Sequence, residues 1–307
     1  MSLERCLAEL SNEDKPLVAS RLADLSDLSH EELESFLAAW ARTGIERQRQ
    51  IMSKLEELAE ENPRLNFDDI FRACLHDPDD IVRVRCIEGL WECENCSLIA
   101  PLITLLREDD EESVRATAAM ALGKFALLAE LEKLRPKDRE RVQEALLFAI
   151  EDQREQLEVR RRAIEAIAPL SLPGVKEIIQ QAYESDNANM RASALYAMGR
   201  NCDPVWLPTL VKELGSQDAE MRFEAVGACG ELGVEEAVPH LIRLISDEDS
   251  QVQISAIAAL GQIGGSEAEE ALRECLNHPD EHICQAAKEA LGEAGIEREP
   301  LSFGFET

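Results

Sequence analysis

The sequence has few basic residues, few aromatic residues and no long apolar run, and each shortage excludes a class of protein. Against 62 Asp and Glu there are only 32 Lys and Arg, so the formal net charge is −30. Because nucleic acid and anionic lipid attract clustered Lys and Arg, we predict that the chain binds neither nucleic acid nor membrane. No apolar run reaches the roughly 18 residues of a membrane-spanning helix. With 4% aromatic residues and only 15 Gly in 307 residues, the composition favours helices over β-sheets.

The N-terminus and the cysteines predict a reducing compartment. The first residues, Met1–Cys6, are not a basic stretch leading into an apolar one, so no secretory signal is visible. The nine Cys are an odd number spread over a long chain, which favours reduced thiols over a disulfide framework. We therefore predict a cytoplasmic protein, and its 45% apolar residues are enough for a folded chain.

A pattern of about 31 residues recurs through most of the chain and predicts the fold. Its copies are marked by the dipeptides Val82-Arg83, Val114-Arg115, Val159-Arg160, Met190-Arg191, Met221-Arg222, Val252-Gln253 and Ile283-Cys284. Four of the six steps between copies are 31 residues, one is 32 and one is 45. Counted from the second residue of each dipeptide, small or apolar residues recur at −1, +3 and +7, which is one stripe along a helix. At +8 the repeat has Gly123, Gly199, Gly230, Gly261 and Gly292.

A polar turn and a second amphipathic helix precede each of these helices. We call the preceding helix A and the marked helix B, and the clearest helices A are predicted at 204–215, 235–246 and 266–277. The turns contain predicted N-caps, whose oxygens accept from free amides of the first turn: Asp79, Asn187, Asp218, Asp249 and Asp280. Since neither helix can bury its stripe alone, stacked pairs must share a core. The predicted fold is all-α, an armadillo-like α-solenoid forming a right-handed superhelix of about nine helix pairs.

The chain divides into three predicted parts. Residues 1–65 are degenerate N-terminal repeats, with helices near 3–10, 15–25, 30–42 and 45–61. Residues 66–295 are the regular array, in which the 45-residue step contains an insertion of 14 residues near 127–141. Pro136 is predicted to begin a new helix within it, because Pro is favoured at the first helical position. Residues 296–307 are predicted to be a C-terminal tail.

The 31-residue unit, with its acidic turn, Val-Arg, small residue and Leu-Gly, resembles the short HEAT-like repeats first described in phycobilin lyase subunits. The resemblance covers roughly Phe67–Gly295 and implies the fold. It implies function weakly, because proteins with this repeat serve as scaffolds, lyase subunits, hydroxylases and regulatory partners. A subunit of a phycobilin-lyase-like enzyme therefore remains an alternative, and a visible-absorbance shift with a linear tetrapyrrole would identify it.

Two other activities of HEAT-like proteins are disfavoured by the residues. Deoxyhypusine hydroxylase binds two irons through His-Glu pairs near the starts of helices B, but the corresponding positions here contain none, and the one adjacent pair is His30-Glu31. A HEAT-like DNA glycosylase would need a basic concave face, which the charge opposes. No nucleophile elbow, triad spacing or Gly-rich phosphate loop is present. We predict no enzyme activity, no catalytic residue and no cofactor.

The cysteines allow two interpretations. Cys93 and Cys96 have the spacing of a zinc or redox pair. The repeat instead places most of the thiols at core positions, where they would be small buried apolar groups. Those residues are Cys74, Cys86, Cys93, Cys229 and Cys275. We predict no metal site and leave a role for Cys93 and Cys96 open.

The repeated Arg side chains also allow two interpretations. The residues are Arg83, Arg115, Arg160, Arg191 and Arg222. They could form an anion-binding row. The favoured alternative is a ladder in which each planar guanidinium bonds acidic or carbonyl groups of a neighbouring turn.

A basic patch stands out against the acidic chain between residues 133 and 162. It comprises Lys133, Arg135, Lys137, Arg139, Arg141, Arg160, Arg161 and Arg162. One interpretation is a salt-bridged helical face exposed to solvent, and the other is a docking site for an acidic partner or a phosphate. Conversely, the acidic surplus of residues 201–307 is explained by solubility or by a basic protein partner.

Outward positions on successive helices B should line a concave face. We predict binding residues there at Arg85, Arg162, Tyr196, Arg200, Phe223, Glu224 and Glu231. Tyr and Arg are favoured interface anchors, and a stacked array offers a long curved surface. The predicted function is therefore a non-catalytic scaffold or adaptor that binds a protein or peptide, as a monomer or weak oligomer.

Overall fold

The computed structural model describes Leu7 and residues 16–296, with side chains described as far as Gly292. Within that part of the chain the regular structure is helical and there is no strand. Contacts divide the chain into two compact units, Met1–Ala166 (unit 1) and Ile167–Thr307 (unit 2). Of the helix predicted near 3–10 only Leu7 is described, and it is buried. The predicted tail lies outside the described residues beyond Ile296.

From residue 16 onward, the described part of unit 1 begins with three helices that do not follow the repeat pattern. They are α1 (Ala19–Leu22), α2 (His30–Trp40) and α3 (Ile45–Glu61), and a 3-10 turn continues α1. Helix α2 begins with a capping box, in which Ser29 and Glu32 satisfy each other's backbone amides. Helices near 15–25, 30–42 and 45–61 are confirmed, with slightly shorter bounds for the first two.

Six helices of the repeat array follow in unit 1. They are α4 (Asp68–Ala73), α5 (Asp80–Gly89), α6 (Ile99–Glu108), α7 (Glu112–Glu130), α8 (Pro136–Glu151) and α9 (Leu157–Ile167, whose last residue belongs to unit 2). Helix α3 packs on α5, and α5 packs on α7, so the helices B lie side by side. Helix α3, which belongs to the region predicted to be degenerate, therefore lies in the same layer as the helices B.

The described part of unit 2 contains four helix pairs. They are α10 (Val175–Tyr183) with α11 (Ala188–Asn201), α12 (Leu207–Glu213) with α13 (Ala219–Leu232), α14 (Val238–Leu244) with α15 (Ser250–Ile263), and α16 (Ser266–Cys275) with α17 (Glu281–Ile296). Helices B pack in succession, α11 on α13, α13 on α15 and α15 on α17. The repeat positions −1, +3 and +7 are buried in this stack, except that the last +7 residue, Leu291, is half-buried. The all-α solenoid is confirmed.

The predicted N-caps are confirmed in all five turns. The side chains of Asp79, Asn187, Asp218 and Asp249 each accept a hydrogen bond from an amide of the first turn of the next helix. Asp280 accepts from the amide of His282 at 2.8 Å. Each cap fixes the point where a helix B begins, and so keeps the outward positions of successive helices aligned.

The inserted residues lengthen two helices. Helix α7 has 19 residues and α8 has 16, whereas α13 has 14 and α12 has seven. Pro136 is the first residue of α8, as predicted. Part of the insertion near 127–141 is therefore the last turn of α7, which continues to Glu130 because its apolar stripe continues to Ala129.

Repeated Gly residues allow neighbouring helices B to come close. A Cβ atom added at Gly199 would lie 2.7 Å from Cα of Ala228, and one at Gly261 would lie 3.0 Å from Cα of Ala290. These distances are shorter than carbon atoms tolerate, so each contact depends on the missing side chain. Gly292, in the last described repeat, has no described atom within 4 Å of such a Cβ.

The Arg ladder is confirmed at three of the five predicted positions. Arg83 donates twice to Asp109, both at 2.8 Å, and Arg222 donates twice to Asp247, both at 2.8 Å. Arg115 pairs in the same way with Glu155. These bidentate pairs connect one turn to the next, because each Arg also donates to carbonyl groups of its own turn.

At two predicted ladder positions the Arg donates to backbone carbonyls, and one ladder contact was not foreseen. Arg160 donates to the carbonyl of Ile150, and Arg191 to those of Ser185 and Asp186. Arg49 of α3 donates to both carboxylate oxygens of Asp79. The ladder thus extends into the region that the sequence had described as degenerate.

Candidate functional site

One groove in unit 2 gathers five of the seven predicted binding residues. This groove, the unit-2 groove, has a volume of about 210 Å³ and runs across α11, α13 and α15. Its predicted members are Tyr196, Arg200, Phe223, Glu224 and Glu231. Four of the five stand at the outward positions +2, +5 and +9 of the repeat and Phe223 stands next to one of them, so the common alignment of helices B explains why they line one groove.

Small residues make up part of the lining of the unit-2 groove. They are Gly227 and Ala228 of α13 and Ala258 and Ala259 of α15. Such small residues leave a depression where longer side chains would fill the space.

Two partly exposed aromatic rings stand at the sides of this groove. Tyr196 is 45% exposed and Phe223 is 40% exposed. At the rim, Arg200 Nη1 lies 3.3 Å from a carboxylate oxygen of Glu231. An exposed pair of this kind is worth little in free energy, so it can open for another carboxylate or cation at small cost. The groove therefore offers apolar rings beside groups of both charges.

The other two predicted binding residues lie in unit 1 and do not line the unit-2 groove. Arg85 donates to Glu56 at 3.0 Å and to Glu88 at 3.1 Å. Arg162 pairs with Glu158 and Glu165 on its own helix, at 2.8 and 2.9 Å. Both guanidinium groups are thus already held by carboxylates.

The basic patch is extensively paired with carboxylates and carbonyls. Arg135 and Arg141 both contact Asp138, and Arg161 and Arg162 both contact Glu158. The Nε of Arg160 donates to the carbonyl of Ile150, as in the ladder. Lys133 and Lys137 are exposed and Arg139 is half-buried. These contacts are those of a salt-bridged face, and docking of an acidic partner stays a prediction.

A larger cavity in unit 1 was not foreseen. It has a volume of about 380 Å³ and lies between the ends of α3 and α5 and the connection from α3 to α4. Trp91 lines it and is 60% exposed. We call it the unit-1 groove. A signal existed in the sequence, because Trp91 stands at +8, where five other repeats have Gly.

Four cysteines behave as small apolar side chains, as predicted. Cys74, Cys86, Cys229 and Cys275 are buried, and burial raises the pKa of the Cys229 thiol to about 12. Cys93 differs from the expectation, since it is half-exposed and accepts a hydrogen bond from Arg72 at 3.0 Å. The part of the chain that the structure describes contains no group of three or more His, Cys, Asp or Glu placed to hold a metal ion.

The repeat geometry agrees with a comparison against protein families. The family model of HEAT repeats matches residues 69–151 and 207–292, which is more than half of the chain. The chain belongs to the HEAT repeats. The predicted resemblance is thereby confirmed, and the two matched segments of this HEAT protein contain α5 and two of the three helices of the unit-2 groove, α13 and α15.

Several solved structures resemble this HEAT protein in fold. The complex of CpcE and CpcF of phycocyanin lyase from Nostoc sp. PCC7120 is 22% identical, with 64% of this chain and 77% of that chain covered and a TM-score of 0.45. Human deoxyhypusine hydroxylase is 16% identical, with 96% of each chain covered and a TM-score of 0.38. An engineered protein is 23% identical, with 64% and 96% covered and a TM-score of 0.42. These likenesses concern the fold alone.

A search of curated proteins found no significant match. Among the helices within the described residues, none is long and apolar enough to cross a membrane.

Proposed function

We propose that this HEAT protein is a non-catalytic scaffold or adaptor that binds a protein or peptide through the unit-2 groove. One observation carries the proposal. Tyr196 and Phe223, whose side chains are 45% and 40% exposed, line the same groove together with several small residues. Large aromatic rings beside a depression are typical anchors of protein interfaces, because they bury much apolar area at little entropic cost.

Charge at the groove would select orientation more than it would add affinity. Arg200 and Glu231 form a pair in the lining of the groove, and Glu224 lines it as well, so a partner would meet one cationic and two anionic side chains. Exposed pairs of this kind contribute mainly to the association rate and to partner choice. The apolar contact with the two rings would supply most of the binding free energy.

The test uses two bait proteins and the wild type in affinity purification from the native cell with mass spectrometry. The first bait is Tyr196→Ala/Arg200→Ala/Phe223→Ala. The matched control is Arg107→Ala/Phe148→Ala, which removes a guanidinium stacked 5.3 Å from an exposed ring on helices α6 and α8. We expect the groove variant to recover at least about tenfold less of the partner and the control to recover as much as the wild type. The reason is that truncating an anchor costs over about 1 kcal/mol of binding free energy.

A photo-cross-linking amino acid at position 223, with position 148 as control, identifies the protein in the groove directly. The expected result is a cross-link from position 223 alone to the partner that the groove variant loses. Equal recovery by all three baits, or equal cross-linking from both positions, would refute the assignment. Circular dichroism of each variant confirms that the helical fold is retained.

A further inference from the structure

The unit-1 groove is built where the repeat departs from its pattern. Helix α5 ends at Gly89 after ten residues, although α13 and α15 each have 14. The next residues turn outward, and Trp91 lies beyond the helix at the position that is Gly in other repeats. A Trp ring does not fit a contact where even a Cβ atom is crowded, so the last turn of helix is absent.

The turn after α5 is held in place by a neighbouring helix. Lys124 Nζ of α7 donates to the carbonyl of Leu90 at 3.0 Å and to that of Trp91 at 2.6 Å. The carbonyl of Leu90 also accepts a hydrogen bond from the amide of Cys93 at 3.0 Å, and a cation is favourable at the C-terminal end of a helix. Trp91 is therefore an exposed ring on a fixed backbone.

The charge of the unit-1 groove has one sign. Its lining includes five carboxylates and neither Lys nor Arg; the carboxylates are Glu56, Glu60, Asp68, Glu88 and Glu92. Arg85, from outside the lining, contacts two of them, Glu56 and Glu88. Burial raises the pKa of Glu56, Arg85 opposes this, and the charges of Glu88 and Glu60 raise it further. The groove therefore has negative charge in excess of its local cations.

We propose that the unit-1 groove binds a Lys or Arg side chain from a basic segment of a protein partner. The cation would lie over the face of Trp91, which attracts it through the ring quadrupole, with Glu60 and Glu92 beside it. The alkyl part of the side chain would lie on the apolar lining formed by Ala59, Pro63 and Leu65. The chain charge of −30 would steer such a partner toward the protein.

This proposal shares with the proposed function only the premise that the chain binds protein. The unit-1 groove lies wholly among residues 56–93, and the unit-2 groove among residues 196–262. Variants in one groove therefore leave the residues of the other unchanged, and the two hypotheses can fail separately.

The test measures binding of two synthetic peptides to the full chain by titration calorimetry. The probe is a 12-residue peptide with four Lys among Gly, Ser and Leu, without Trp or Tyr, and its counterpart has Glu in place of every Lys. The Lys peptide should bind the wild type and the Glu peptide should not. Trp91→Ala should weaken binding about tenfold and Trp91→Phe less, because Trp is the strongest ring for a cation.

Two sets of variants separate the groove from the general acidity of the chain. The double variant Glu60→Gln/Glu92→Gln should bind the Lys peptide several-fold more weakly than the wild type. The control Phe148→Ala, which removes another exposed ring of unit 1, should bind it like the wild type, as should the triple variant of the unit-2 groove. Tryptophan fluorescence gives a second readout, because Trp40 and Trp206 are buried and Trp91 is exposed. The Lys peptide should therefore protect the Trp91 fluorescence of the wild type from quenching by acrylamide.

Three results would overturn the proposal. Unchanged binding of the Lys peptide to a folded Trp91→Ala variant would show attraction by the acidic surface as a whole. Equal binding of the Glu peptide would show that the groove does not select charge. Absence of binding by the wild-type protein at millimolar Lys peptide would show that the groove does not take a cationic side chain.

Discussion

Helices α5 and α15 occupy the same place in the repeat but end differently. Helix α15 continues for 14 residues to Ile263, and its Gly261 lies against Ala290 of α17. Helix α5 ends after ten residues, and Trp91 at the equivalent of Gly261 is exposed to solvent. Both helices begin with an Asp N-cap and bury Val at −1, so the difference arises only in the last turn.

The comparison shows that the two ends of a helix B are determined separately. The beginning is fixed by an Asp cap and by the Arg ladder, which are present at both helices. The other end differs at +8, where Gly261 of α15 lies against Ala290 and Trp91 after α5 is exposed beside the unit-1 groove. The variation at +8 thus coincides with a groove, while the helices B stay side by side.

The largest effect is expected at the ladder of unit 2. Arg222 and Asp247 have side chains that are 7% and 6% exposed, whereas Arg85 beside the unit-1 groove is 41% exposed. Removing one member of a buried pair leaves the other charge without its partner, so Arg222→Ala should lower the free energy of unfolding by about 3 kcal/mol. Arg85→Ala, an exposed pair, should lower it by less than about 1 kcal/mol.

Urea denaturation followed by circular dichroism measures both losses. A cycle with Asp247→Ala completes the experiment, since the second substitution should add little once the partner is gone. If Arg222→Ala proved as mild as Arg85→Ala, the ladder would not stabilise the regular repeats more than the irregular one.

An intermediate effect is expected where helices B approach each other. Gly199→Ala places a Cβ 2.7 Å from Cα of Ala228, which is backbone and must move. Overpacking of this kind should destabilise unit 2 by roughly 1–3 kcal/mol. The measurement is the shift in the thermal unfolding midpoint.

Two matched Gly substitutions sharpen that result. Gly227→Ala lies in helix α13 with nothing described within 4 Å of the new Cβ, and Gly292→Ala occupies the same repeat position as Gly199 with no described atom within 4 Å. Gly227→Ala should raise the free energy of unfolding by about 0.5–1 kcal/mol, because Ala is a better helix former than Gly. A loss from all three substitutions would show that the repeated Gly serves the helix itself rather than the contact.

The smallest effect is expected from pH, with opposite signs in the two regions. The hydrogen bonds from Arg222, together with the amide of Asp249, hold the pKa of Asp247 below its ordinary value of 3.8 although burial opposes them. The stability that Asp247 contributes is therefore complete above about pH 4 and is lost as the pH falls through its folded pKa. The difference between wild type and Asp247→Asn should be constant near neutrality and shrink on acidification.

Glu56 beside the unit-1 groove should behave in the reverse way. Burial raises the pKa of Glu56 above 4.5, so its ionisation costs stability as the pH rises through the raised value. The Glu56→Gln variant should therefore gain stability relative to wild type over that rise. Urea denaturation at pH 3 to 7 measures both differences, and parallel pH profiles for the two variants would contradict the assignment.

Most of the architecture could be predicted from the sequence, because the same pattern of capping, apolar and small residues recurs in seven copies. Asp249 capping α15, Val252 buried beneath it and Gly261 at the helix contact are each readable from periodicity and residue type. The lengths of α7 and α8 could not be predicted, since 14 added residues are compatible with a loop or with helix. Only the apolar stripe packed against neighbours decides between them.

The candidate sites were predicted unevenly for a similar reason. Tyr196 and Phe223 meet because they stand at regular positions of adjacent helices, and regular positions align. Arg85 was predicted to be an outward binding residue, but the carboxylates of Glu56 and Glu88 hold it, and these contacts involve a helix outside the recognised repeat. Arg49 was missed likewise, because its repeat carries no dipeptide marker.

The sequence by itself determined the α-solenoid, the boundaries of helices B at their capped ends, and the burial of the repeated small residues. These follow from local hydrogen bonding and from the 3.6-residue period, which act within one repeat. Only the tertiary structure decided where α5 stops, that Trp91 faces solvent, and that five carboxylates meet around one cavity. Those features depend on how closely neighbouring backbones approach, and that distance is set jointly by side chains far apart in the chain.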